Sequence, residues 1–304
     1  MSRVLVTGGG GFIGSHMVRI LLDRGHEVAL AVRPATSLSR LGDAVDRVRI
    51  VRCDLAEASD LISQLPWTPD ACAHLAWHSE PSTYLVSHEN LESLTVSLKL
   101  LPALMRAGCS HFVLPGTCAE YRSVEHLLTE DSDVAPTTLY AATKLSLFLI
   151  TQRLAEQANA TVAWARLFHV YGPQEDPRRL VPAAACSLLA GRDFPASSGL
   201  QVRDYLHVVD VARALCQLLE VGASDAVNVC SGVPATVRQL LEAIGQRVGR
   251  PALVRFGELD LRPGWDPPHV VGDNTRLRTL TGWKPQYELE TGLEQVIGWW
   301  RANA

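Results

Sequence analysis

The stretch Val4 to Gly14, VLVTGGGGFIG, constrains this 304-residue chain more than any other. A short apolar run, Val4 to Val6, meets a glycine cluster and then the apolar helical pattern Phe12, Ile13, Met17, Val18, Ile20, Leu21 and Leu22. That pattern predicts a buried strand feeding a helix through a turn almost without side chains. Gly8, Gly11 and Gly14 stand at GxxGxxG spacing. The first supplies a tight turn, the second admits a pyrophosphate close to the backbone, and the third lets helix pack on strand. An anion held there faces the unpaired N–H groups and the positive end of the helix dipole. Glycines in a row also make ordinary flexible loops, but their place between strand and helix favours a dinucleotide site.

Composition narrows the partners. Hydrophobic residues make up 47% and charged residues 20% of the chain, the balance of a globular protein. A formal net charge of -4 provides no basic field for nucleic acid, so small molecules or copies of the chain itself are the expected partners. No apolar run reaches the roughly eighteen residues of a membrane span, and the chain opens directly into a strand; a cytoplasmic location with no membrane partner is expected. The seven cysteines (53, 72, 109, 118, 186, 216 and 230) are scattered without a CxxC, and no HExxH occurs, so reduced thiols and no metal are expected.

Further along, His26 to Val32 reads as a second strand, Val48 to Cys53 as a third, Ala71 to Ala76 as a fourth and His111 to Leu114 as a fifth, with a long helix from Glu89 to Ala107. Strand alternating with helix is the pattern of a parallel sheet covered on both faces, which binds ligands beyond the C-terminal ends of its strands. The second strand ends Val32, Arg33, Pro34, with no acid to hold the ribose hydroxyls of NAD. Arg33, followed by Thr36, Ser37 and Ser39, favours NADP(H), with NAD(H) as the alternative; the bland reading of Arg33 is a solvated loop charge. Asp54 is placed to meet an adenine amino group, and the small residues around Ala76 lie where the cofactor approaches closely.

After the fifth strand comes PGTCAEY, Pro115 to Tyr121, and later Tyr140 and Lys144 stand four apart at the start of an apolar helix, on one face. A phenol of ordinary pKa, about 10, relays protons poorly at neutral pH, and a nearby ammonium lowers that barrier. By itself such a pair is more often surface decoration. From Gly172 onward prolines 173, 177, 182 and 195 break the helical patterns, and Arg178 to Val181 read as a loop at the cleft. Val208 to Glu220 returns as a helix packing on the main sheet, and Thr236 to Val248 is another. Trp265, Trp283, Trp299 and Trp300 gather late, where core or interface packing is favoured over stacking on a base.

Taken together, TGGGGFIG (Thr7 to Gly14), Thr117 four residues before Tyr121, and YAATK (Tyr140 to Lys144) resemble the extended short-chain dehydrogenase/reductase family of nucleotide-sugar epimerases, dehydratases and 4-ketoreductases. The blocks RLFHVYGP, QVRDYLHVVD, VNVCSG and LRPGWDPPHVVGD extend the resemblance over nearly the whole chain. It implies an α/β fold of Rossmann type, a doubly wound parallel sheet with a smaller C-terminal substrate-binding region. Residues 1–171, with 204–230 packing back, would be the dinucleotide-binding part, and 172–203 with 231–304 the substrate-binding part. It implies that Tyr140 exchanges a proton with the substrate oxygen, that Thr117 bonds the same oxygen, and that Lys144 holds the nicotinamide ribose and tunes Tyr140. Gly8, Gly11, Phe12, Ile13, Gly14, Arg33, Asp54, Leu55, Leu75 and Ala76 would line the cofactor. Arg203 and Arg262 would grip the nucleotide diphosphate, to which the guanidinium fork is suited. Arg179 would line the sugar cleft, and His169, where the family often has Asn, either bonds the ligand or fills the wall.

The departures bear on the reaction. Dehydratases of the family carry an Asp-Glu pair directly after the catalytic Thr, where Cys118 and Ala119 stand here. The favoured expectation is NADPH-dependent reduction of the C4 keto group of an NDP-4-keto-6-deoxyhexose. The alternative is an NAD-dependent NDP-hexose 4-epimerase, and outside enzymes a silent dinucleotide-binding scaffold, disfavoured because Thr117, Tyr140 and Lys144 are all present. The helices around 89–107 and 140–156 resemble a family dimer interface, so a homodimer is expected.

Overall fold

A computed structural model describes residues 1–260 and 267–303. The first part runs β1 (Arg3–Thr7), α1 (Phe12–Asp23), β2 (Glu27–Val32), β3 (Arg49–Arg52), α2 (Ala58–Gln64), β4 (Ala71–His74), α3 (Glu89–Arg106), β5 (His111–Thr117), α4 (Leu139–Ala158) and β6 (Thr161–Leu167). It continues through β7 (His169–Tyr171), α5 (Leu180–Leu189), β8 (Phe194–Ala196), β9 (Val202–His207), α6 (Val208–Glu220) and β10 (Asp225–Val229). Then come β11 (Pro234–Thr236), α7 (Val237–Val248), β12 (Val254–Phe256), β13 (His269–Val270), α8 (Thr275–Thr281) and α9 (Leu289–Asn303).

Seven strands make one sheet in the order β3-β2-β1-β4-β5-β6-β10, with every neighbouring pair parallel. This is the expected Rossmann-type α/β architecture. The order reverses beside β1, so the loops leaving β1 and β4 part and open a crevice at the C-terminal edge. Alternation along β1 sends Val4 and Val6 to one face and Leu5 to the other. On the first face they join Met17, Val18 and Leu21 of α1 and Val211, Leu215 and Leu218 of α6. Leu5 meets Leu100, Leu101 and Leu104 of α3 and Leu147 and Phe148 of α4. Each such large apolar side chain, once fully buried, contributes about 1.5–3 kcal/mol, which is what clamps the layers to the sheet.

The sequence from 178 to 181 departs from its expected loop, because Leu180 and Val181 already open α5. Pro182 does not break that helix: it sits in the first turn, where its missing N–H leaves no bond unmade. Helices α5, α7 and α9 then bury Val181, Leu188, Leu240, Leu241, Leu293 and Val296 in a separate cluster. A small second sheet has the order β11-β9-β13, with β7 also paired to β9. Nor do the late tryptophans form one group. Trp283 is buried against the main sheet and donates to the carbonyl of Asp210, whereas Trp299 and Trp300 pair edge to face on α9. Trp265 lies outside the described residues.

Four histidines are folded into low-dielectric surroundings. His74 has Thr7 Oγ1 at 2.8 Å from Nδ1 and Ser97 Oγ at 2.8 Å from Nε2. Because the Ser97 hydroxyl donates to the Ser93 carbonyl, His74 Nε2 must donate and Nδ1 must accept, which is the neutral ring. Burial pulls His74 and His169 down to about 3, and His16 and His207 down to about 4.

Three outcomes follow from this packing. A Cβ at Gly14 would fall 2.3 Å from the Gly8 carbonyl oxygen, both atoms being backbone that cannot move aside. Gly14→Ala should therefore lower unfolding free energy by about 1–3 kcal/mol. Gly298→Ala, on an α9 face with nothing within 4 Å, should raise it by about 0.5–1 kcal/mol in the same denaturant titration. The histidines set an acid limit, since below their ordinary 6.5 the unfolded chain binds protons that the folded one refuses. Their stabilising contribution is complete above pH 6.5 and is lost as pH falls toward 4. Glu175, held up to about 8 by burial, works the opposite way between 8 and 4.5, and the raised carboxyls of Glu120 and Asp204 act in the same sense, three acids against four histidines. The denaturation midpoint should fall steadily from pH 6.5 to 4, and a flat profile would contradict the neutral rings.

Candidate active site

The glycine turn between β1 and α1 is built by close approach. Gly8 adopts φ +70°, and a Cβ there would lie 2.7 Å from the Ala76 nitrogen, so the turn can rest against the end of β4 only as glycine. Gly11 donates to the Gly8 carbonyl at 2.9 Å and caps α1 without any side-chain bond, leaving the first-turn N–H groups for a ligand. Both observations fit a dinucleotide pyrophosphate at this helix end.

A cleft of about 2370 Å³ runs from this turn across the C-terminal ends of the strands. Its volume exceeds the roughly 300–1,000 Å³ of a site for one small ligand and suits two ligands end to end. Gly8, Gly11, Phe12, Ile13, Gly14, Arg33, Asp54, Leu55, Leu75 and Ala76 line one part of it. Thr117, Tyr140, Lys144, His169, Arg179 and Arg203 line the rest. Arg262 lies outside the described residues. Thr36 and Ser37 also reach the cleft, while Ser39 accepts a hydrogen bond from the Ser37 hydroxyl. Arg40 lines the cleft as Arg33 does, and donates through Nε to the Gln174 carbonyl at 3.1 Å. Only the folding of residues 36–38 over Gly10 brings Arg40 there, and no local pattern announces that.

At the other end Thr117 closes β5 and Tyr140 and Lys144 open α4, whose N-cap Thr138 accepts from the Ala141 N–H. Thr117 Oγ1 accepts from the Ala119 N–H at 3.2 Å, which leaves its own hydrogen to donate. Lys144 Nζ donates to the Pro115 carbonyl at 2.9 Å and lies 3.9 Å from the Trp77 ring centroid. Trp77 is fixed in turn by a bond from Nε1 to Asn90 Oδ1 at 2.8 Å. The Tyr84 ring meets the Tyr140 ring edge-on at 5.1 Å between centroids, and Arg179 lies over Tyr84 and donates to the Ser79 carbonyl. Arg203 is buried, with Nη1 donating to the carbonyls of Val202 and Pro267. His169 keeps a buried Nδ1 that finds no hydrogen-bond partner among the described residues, next to the Tyr205 ring.

Behind Thr117 lies Glu120, fully buried. Its Oε1 accepts from the Thr117 N–H at 2.8 Å and its Oε2 from Arg166 Nε at 2.8 Å, with Trp164 Nε1 shared between the two oxygens. The spacing Thr117-x-x-Glu120 is a capping-box pattern and was the available signal for this residue.

The protonation states differ from the expectation that Lys144 draws the phenol down. Burial, and then Tyr84, push the Tyr140 phenol above its ordinary value, with hydrogen bonding to Thr117 pulling back. Lys144 stands 6.0 Å from the Tyr140 ring centroid and is committed to Pro115. Burial lowers Lys144 itself to about 7, against the opposing pull of Glu120. Desolvation outweighs the mutual attraction, so at neutral pH this site presents a protonated phenol. Burial likewise pushes the Cys118 thiol up to about 12.

Similarity to known proteins accords with this geometry. Residues 4–230 match the model of the NAD dependent epimerase/dehydratase family. The chain is 29% identical to a dTDP-glucose 4,6-dehydratase of an Actinoplanes species, covering 99% of this chain and 98% of the relative. It is 31% identical to a dTDP-4-dehydro-6-deoxy-D-allose reductase of Streptomyces bikiniensis, covering 98% and 96%. The solved structure of a Thermus thermophilus UDP-glucose 4-epimerase in complex with NAD superposes with a TM-score of 0.89 at 27% identity, covering 99% and 100% of the two chains. With its glycine turn, parallel sheet and Thr-Tyr-Lys trio at one cleft, the chain belongs to the NAD dependent epimerase/dehydratase family.

Proposed function

We propose that this protein is a nucleotide-sugar 4-ketoreductase, using NADPH to reduce the C4 keto group of an NDP-4-keto-6-deoxyhexose. The observation that carries the reading is the cationic end of β2. Arg33 stands where an acid would hold the NAD ribose, and Arg40 lines the cleft with it, an arrangement suited to the 2′-phosphate of NADP(H). A bound reduced nicotinamide supplies the hydride. Thr117 orients the keto oxygen, and the Tyr140 phenol, protonated at neutral pH, is poised to deliver the proton that the nascent alkoxide requires. Lys144 holds the nicotinamide ribose. Arg203 and Arg262 take the nucleotide diphosphate, with Arg179 and His169 toward the sugar.

Dehydration is a poorer reading, because it needs a separate acid and base beside the sugar. A thiol held near 12 and the methyl of Ala119 provide neither. The second reading, an NAD-dependent 4-epimerase, is supported by the likeness to the Thermus thermophilus enzyme, and it uses the same trio. The reductase reading also places the protein in the cytoplasm with the NADPH pool, and no helix among the described residues is long and apolar enough to cross a membrane. We further infer a homodimer through α3 and α4, which leave Leu91, Leu149 and Ile150 exposed on one protomer.

The absorbance of reduced nicotinamide during turnover separates the readings. Steady NADPH loss with a 4-keto sugar nucleotide is expected, whereas product without net cofactor change would establish the epimerase. Tyr140→Phe should keep NADPH affinity while kcat falls by about 10²-fold or more, since the ring stays and the transferable proton is gone. Arg33→Ala should weaken NADPH by about tenfold or more and leave NADH nearly unchanged in fluorescence titrations. Equal weakening of both would remove the cofactor assignment.

A further inference from the structure

We propose that Glu120 is a positioning residue of this site: its buried carboxylate fixes the Thr117 backbone and supplies the negative charge that opposes loss of the Lys144 proton. The inference rests on the reading of Thr117, Tyr140 and Lys144 as the reacting trio. Its geometry is that of three consecutive residues with two occupied sides. The Pro115 carbonyl receives Lys144 Nζ, and the Thr117 N–H is held by Glu120 Oε1. Between them Gly116 has no room for a side chain, since a Cβ would lie 2.2 Å from Trp164 Nε1 and 2.8 Å from Glu120 Oε1. The carboxylate is therefore pressed against the same strand end that carries the lysine and the hydroxyl.

The donor set decides its charge. Thr117 N–H, Trp164 Nε1 and Arg166 Nε can only donate, so both carboxyl oxygens are occupied as acceptors and a carboxyl proton would displace one of these bonds. Burial pushes Glu120 upward, and Arg166 with these donors opposes it. Arg166 is locked in place by a bond from Nη1 to the Tyr121 hydroxyl at 2.9 Å, which itself donates to Asn228 Oδ1 at 2.7 Å.

The other groups around Lys144 do not replace this charge. His74 on β4 is a neutral ring, Trp77 after β4 offers only its π face, and Tyr140 on α4 and Cys118 after β5 are protonated at neutral pH. Glu120 is the charge that opposes the effect of burial on Lys144.

The chain has three lysines, of which Lys99 and Lys284 are exposed, so lysine labelled at Cε with an NMR-active carbon isotope gives three signals and a direct titration of Lys144. Glu120→Gln should lower the Lys144 midpoint by about one pH unit, and Glu120→Asp, which keeps the charge, should leave it within about a few tenths of a unit. Because Glu120→Gln strands the Arg166 charge, the pair Glu120→Gln with Arg166→Met, which buries no ion, is titrated alongside and should shift downward too, by less, since the guanidinium's opposing charge is lost with it. In turnover the lysine-dependent limb of the kcat profile should move with the NMR midpoint. A Lys144 signal indifferent to loss of the carboxylate in either variant overturns the proposal, since a purely structural Glu120 would cost stability without moving that titration. Tyr140→Phe, assayed in parallel, keeps the two failures apart: full activity there removes the trio reading, whereas an unmoved Lys144 removes only the role of Glu120.

Discussion

The molecule depends on how closely its backbone approaches itself at the start of α1. The Gly8 carbonyl lies where a side chain on Gly14 would begin, and Gly8 in turn abuts the end of β4. That contact sets the height of α1 on the sheet and points its uncapped N-terminus into the crevice beside β1. Since all seven strands run parallel, the segments that follow β1, β2, β3, β4 and β5 leave the sheet at the same edge. Thr117, Arg33, Asp54 and Ala76 thus reach one cleft although they come from different strands.

Desolvation of individual side chains sets the protonation states along that cleft. Burial holds the Tyr140 phenol protonated, brings Lys144 to about 7, neutralises His74 and silences the Cys118 thiol. The direction of these shifts follows one rule, that a low dielectric penalises whichever form carries charge. Where charge does persist deep in the fold, as at Glu120 and Arg166, it is enclosed by permanent N–H and O–H partners. A site so arranged holds a proton ready for a developing alkoxide, a step that the reductase and the epimerase readings share.

The second half of the chain serves the first. Helix α6 covers the sheet face opposite α3 and α4, while α5, α7 and α9 form their own core and carry the β9 strand with Arg203 to the cleft wall. Arg178 ties this part back to Glu80 in the loop after β4, and Arg179 does so through Ser79 and Tyr84. These pairs are solvated and contribute modestly to stability, but they fix the mouth of the cleft.

By itself the sequence determined the parallel α/β sheet, the glycine turn and the family trio, because each is written in local periodicity or in short spacings such as Tyr140 to Lys144. Residues whose role depends on distant packing were not legible. Arg40 reaches the cleft only when its loop folds over Gly10, Trp77 meets Lys144 only when α3 fixes it through Asn90, and Leu180 and Val181 are helical despite the proline beside them. The protonation of Tyr140 and Lys144 also belonged to tertiary structure alone. Residue type sets the ordinary pKa, but the depth of burial and the fixed charge behind the strand decide how far it moves, and neither is encoded within a few residues of the group that titrates.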